Sequence, residues 1–82
     1  MVLEKKLVLS ELSQIASHDG TFVEIKIYRL EDENVWTLEV VDESNASTVW
    51  DNTYPTEQAA LDEALRVINE EGIRSFMKPD MH

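Results

Sequence analysis

Phe22-Val23-Glu24-Ile25-Lys26-Ile27-Tyr28-Arg29-Leu30 alternates through its centre, with Val23, Ile25 and Ile27 on one side and Glu24, Lys26 and Tyr28 on the other. A strand projects successive side chains to opposite faces, so this is the pattern of a sheet buried on one side only. Glu31, Asp32, Glu33 and Asn34 break the pattern, and residues 35–41 resume it with Trp36, Leu38 and Val40 on one face. The break predicts a four-residue hairpin loop. Folding the chain back there sets Ile27 opposite Leu38, Ile25 opposite Val40 and Lys26 opposite Glu39. Apolar then meets apolar and charge meets its opposite, whereas a one-residue slip would turn the apolar set to the wrong face. A second loop over residues 42–46 leads to a third strand over 47–54, which places Thr48 opposite Val40 and Trp50, a core residue, opposite Leu38.

On the amino-terminal side, Val8, Leu12, Ile15 and Ala16 are spaced at i, i+4, i+7 and i+8, and His18-Asp19-Gly20 supplies a turn behind them. That spacing is the period of a helix with one apolar face and predicts a first helix. The alternative is a strand over residues 6–9 with Ser10 capping a shorter helix. On the carboxy-terminal side, Pro55 stops the third strand, Thr56 is a good N-cap, and Leu61, Ala64, Leu65 and Ile68 form an apolar stripe running to Gly72. Gly72 predicts a left-handed cap, with Ile73 folding back towards Ile68. Residues 74–82, with Phe76 and Met77, form a tail that either docks or frays. The expected architecture is a single α+β domain over residues 1–82. It is a two-layer sandwich in which a three-stranded antiparallel meander carries both helices on one face, in the order α-β-β-β-α.

That element order resembles the double-stranded-RNA-binding-domain fold. The strand followed by Thr56-Glu57-Gln58-Ala59-Ala60-Leu61-Asp62-Glu63-Ala64-Leu65 resembles small bacterial regulatory domains of the HicB type. The first resemblance implies RNA contacts at the amino end of the second helix. Duplex RNA is held through phosphates and 2′-hydroxyls, which calls for Lys and Arg. Here that end carries Glu57, Asp62 and Glu63, with Arg66 the sole basic residue nearby. The basic motif is missing, so direct nucleic-acid binding is not expected.

Charge excludes more than it identifies. The 82 residues carry 17 Asp and Glu against 7 Lys and Arg, a formal net charge of −10. Ten of those acids lie between Leu30 and Leu65, a stretch without a single Lys or Arg. Such a field repels polyanions and attracts cations or basic proteins. The chain has no cysteine, so it has no disulfide framework, thiolate zinc site or cysteine nucleophile, and a reducing cytoplasm of bacterial type fits it best. No apolar run approaches the roughly 20 residues of a membrane span, nor does the start resemble a signal peptide. The oxygen-rich stretches 31–33 and 42–45 lack calcium-loop spacing, and His18 and His82 lack zinc spacing, so neither a metal nor another cofactor is expected. With no Gly-rich phosphate loop and no nucleophile elbow, an enzyme is not expected either.

By parity, Phe22, Tyr28, Val35, Val41 and Val49 fall on the second sheet face, interleaved with Glu24, Lys26, Glu39 and Asp51. Both helices cover the other face, so a partly apolar sheet surface is left for a partner. The expected function is therefore a non-catalytic protein-interaction or adaptor domain, favouring a basic partner, with a second copy of the chain as another candidate. Its apolar anchors are Phe22, Tyr28, Val35 and Val49, and its acidic contacts are Glu31, Asp32, Glu33, Asp42 and Glu43. The alternative is an acidic mimic of nucleic acid that inhibits a DNA- or RNA-binding protein. A small hydrolase or a binder of a cationic small molecule ranks third.

Overall fold

The computed structural model describes residues 5–18 and 20–72. Within them run β1 (Leu7–Leu9), β2 (Gln14–His18), β3 (Thr21–Leu30), β4 (Thr37–Asp42), β5 (Ser47–Val49) and α1 (Glu57–Glu71). All strands join one antiparallel sheet in the order β1-β3-β4-β5, and β2 lies against β3 on the same edge as β1. The fold is mostly β, with five strands and one helix. This corrects the expected α-β-β-β-α sandwich, in which three strands carried two helices.

The expected first helix is two strands. Val8 and Ala16 pair with Arg29 and Val23 on the helix-covered side of the sheet, whereas Ile15 pairs with Glu24 on the opposite side. Ile15 therefore parts from the other residues at helical spacing, and the long edge of β3 decides the matter. A ten-residue central strand would otherwise leave its backbone donors and acceptors unpaired along that edge. The alternative strand over residues 6–9 agrees with β1, but the helix expected beyond Ser10 is β2. His18 pairs with Thr21, which closes a hairpin between β2 and β3, and Gly20 takes φ +78°. Asp-Gly between alternating strands is a strong hairpin signal.

Between β1 and β2 the register against β3 shifts by two residues, from Leu9↔Tyr28 to Gln14↔Ile25. An even shift keeps every side chain on its own face. The shift is absorbed at residues 10–13, where side chains stand in for the missing ladder. Ser10 N–H donates to the Ile27 carbonyl at 2.8 Å. Ile27 N–H donates to Ser13 Oγ at 3.0 Å, and Ser13 Oγ donates back to the Ile27 carbonyl at 3.3 Å. Ser10 itself is buried; its hydroxyl accepts from Leu12 N–H and donates to Glu57 Oε1, fastening the kink to the start of α1.

The β3–β4 hairpin has the register derived from the alternation: Ile25↔Val40, Lys26↔Glu39 and Ile27↔Leu38. Thr48 pairs with Val40, and Trp50 N–H donates to the Leu38 carbonyl. The third strand is shorter than expected, since β5 ends at Val49 and pairing resumes at the isolated Trp36↔Tyr54 bridge just before β4. Here too the register moves by two residues.

Val23, Ile25, Ile27, Leu38 and Val40 are completely buried under Ala60, Leu61, Ala64, Val67 and Ile68 of α1. Each large side chain so buried contributes about 1.5–3 kcal/mol. Trp36, Trp50 and Tyr54 pack at the margin of this core. Thr56 caps α1 through Ala59 N–H, and Gly72 ends it at φ 80°, ψ 165°, with its N–H on the Ile68 carbonyl. That backbone is open to glycine alone, but its ψ is extended and not left-handed helical. The expected return of Ile73 to Ile68 and the tail over 74–82 lie outside the described residues.

Candidate protein-binding face

α1 covers β3 and β4 from one side, and among the described residues no element covers the other. Because the register shift preserves parity, that open face collects side chains from every strand. Leu7 and Leu9 of β1 stand beside Leu30 and Tyr28, Ile15 of β2 beside Glu24, and Val49 of β5 beside Glu39. Leu7, Leu9, Ile15, Phe22 and Val49 are between 48% and 68% exposed, in contrast to the completely buried residues at alternate positions. Tyr28 and Val41 are half-buried on the same face.

The expected anchors separate accordingly. Phe22, Tyr28 and Val49 lie on the open face, while Val35, also exposed, precedes β4 in the loop. Leu7, Leu9 and Ile15 are among its most exposed apolar side chains, and a helix at the amino-terminal end hides their common face. The alternation of Leu7 and Leu9 and the Asp19-Gly20 pair are the signals that reveal them.

A hollow of about 500 Å³ opens on this face between Leu7, Leu9, Tyr28, Glu24, Lys26 and Glu39. Ser47 Oγ donates to Glu39 Oε2. Burial, and then the hydrogen bond from its hydroxyl to the Glu39 carboxylate, raise the Tyr28 phenol above its ordinary value. Glu39 is thus oriented by a hydroxyl donor on the neighbouring strand.

The two acidic loops are not brought together. Residues 31–33 lie at one end of β4 and residues 42–43 at the other, about 20 Å apart along the strand. Asp32 pairs with Lys5 at 2.9 Å, which lowers its carboxyl and raises the lysine. Glu33 Oε1 accepts from Leu30 N–H. The Arg29 guanidinium donates to the carbonyls of Leu30, Glu31 and Glu33 while lying 5.2 Å from the centre of the Trp36 ring, so this loop is pinned to the sheet. Asp42 is buried, and its Oδ1 accepts from Ser44 N–H, Ser44 Oγ–H and Ala46 N–H. Its carboxylate closes the β4–β5 turn, in which Asn45 takes φ 69°, and only Glu43 of this pair faces solvent.

Among the described residues no three His, Asp or Glu side chains gather around a common point that would hold a metal ion. No helix there is long and apolar enough to cross a membrane. Fold and face together define a small mostly-β domain, one antiparallel sheet with a helix-covered side and an open side. Comparison with protein families, with curated proteins and with solved structures finds no match.

Proposed function

We propose that this chain is a non-catalytic protein-binding domain, working in a reducing cytoplasm, whose open sheet face docks a partner carrying positive charge. One observation supports this above the rest: five large apolar side chains from β1, β2, β3 and β5 are between 48% and 68% exposed on one sheet face. Scattered exposed apolar residues are ordinary, but several gathered on one sheet face among polar groups are a feature of interaction sites. The net charge of −10 favours a basic partner, chiefly by raising the rate of encounter.

The nucleic-acid mimic is the weaker reading, because the carboxylates of residues 31–33 and 42–43 sit at opposite ends of β4 and Asp42 is committed to its turn. An affinity capture comparing the wild-type domain with Phe22→Glu and Leu9→Glu, at low and moderate salt, tests the proposal. The expected result is one basic protein retained by the wild type and lost by both variants. Retention by both variants would remove the open face from the interaction. In sedimentation, a wild-type dimer that Tyr28→Glu converts to monomer would assign the face to a second copy instead.

A further inference from the structure

We infer that the hollow between Leu7, Leu9 and Tyr28 is a receptor for one lysine or arginine side chain of the docked partner. This rests on the open face being the docking surface and names what that surface recognises. The hollow's volume, about 500 Å³, is within the roughly 300–1,000 Å³ of clefts that hold a ligand group. Leu7, Leu9 and the Tyr28 ring offer apolar walls to an aliphatic stem, and long cationic side chains bury such stems while keeping the charged head among polar groups. Glu24 and Glu39 supply the acceptors for that head. Their one cationic neighbour in the hollow is Lys26, which faces Glu39 across the β3–β4 register, so one negative charge is left over.

Glu39 is already held by the Ser47 hydroxyl. An acceptor held in place loses little freedom when a cation arrives, which favours binding. The hollow lies on the sheet surface with exposed Ile15 and Phe22 nearby on the same face. A peptide crossing the face can use those side chains as well, whereas a free small cation cannot, so the occupant is a side chain on a polypeptide.

The test uses two synthetic peptides, acetyl-Leu-Arg-Leu amide and the same peptide with neutral citrulline in place of arginine. Each is titrated into the ¹⁵N-labelled 82-residue chain and followed by amide shifts. The expected result is movement of the Leu7, Leu9, Tyr28 and Glu39 amides, with the arginine peptide bound about fivefold more tightly, the upper range for a half-exposed ion pair. The Glu24→Gln/Glu39→Gln variant, isosteric and therefore still folded, should erase the preference while keeping the weaker binding. Equal binding of both peptides at these amides would overturn the receptor but leave the apolar docking face standing. Movement confined to residues 31–33 would overturn it in favour of the general negative field. Shifts at the hollow that follow protein concentration, with no peptide added, would overturn it by showing a second copy there.

Discussion

Opposite Ile27 the edge strand is interrupted, and the Ser13 hydroxyl takes the place of a peptide group by accepting from Ile27 N–H and donating to its carbonyl. Ser13→Ala leaves a donor of a completely buried residue without its partner. That should cost about 1–3 kcal/mol, while Ser13→Thr should retain most of the stability. Urea unfolding checks both, and a change below about 0.5 kcal/mol in the alanine variant would mean that water serves equally well. Asp42 makes a second prediction at this scale. Hydrogen bonds from Ser44, then from the Ala46 and Ser44 backbone, hold its carboxyl below the ordinary value against the opposing effect of burial. A depressed folded-state pKa contributes stability that is fully present above the unfolded value of about 3.9 and is lost as pH falls through the folded value. The urea midpoint of the wild type should therefore drop below about pH 4, and Asp42→Asn should flatten that part of the profile. Parallel profiles for the two proteins would show that the turn does not sense protonation.

Elements were legible in the sequence where two independent patterns agreed. The β3–β4 register followed from apolar alternation on both strands together with the Lys26–Glu39 pair, and α1 followed from a stripe that begins behind a good N-cap. Residues 8–16 offered a helical spacing by coincidence, and nothing local reveals that β3 needs a partner along its far edge. Tertiary demand overrode the local period there, and with it went three anchors of the open face. The hairpin between β2 and β3, with Gly20 at positive φ, can be tested directly. An added Cβ at Gly20 meets nothing within 4 Å, so the only penalty of a side chain is the positive φ. Gly20→Ala should cost about 1–2 kcal/mol, and Gly20→Asn distinctly less because asparagine tolerates this backbone. Equal losses in thermal unfolding would argue against a left-handed Gly20.

Across the whole molecule, negative charge is spread around a folded core. Arg66 bridges Glu63 and Glu70 along α1, and its guanidinium is the foremost reason that the Glu63 carboxyl is lowered, but these pairs are exposed and contribute little stability. Self-repulsion should dominate, so the thermal midpoint should rise as salt goes from about 0.01 M to about 0.15 M and the screening length shrinks from about 30 Å to about 8 Å. A falling midpoint would mean that the local pairs outweigh the repulsion. The paired two-residue register shifts, one at residues 10–13 and one between Trp50 and Tyr54, have a meaning on this same scale. A sheet that leaves one side greasy invites its copies to stack and then to zip together along their rims into fibrils. Here each rim is broken into short runs, so no long straight row of backbone groups is offered to a neighbour. Removing the interruption, for instance by deleting Glu11 and Leu12, would keep every side chain on its own face yet produce a straight rim, and with it a protein prone to polymerise.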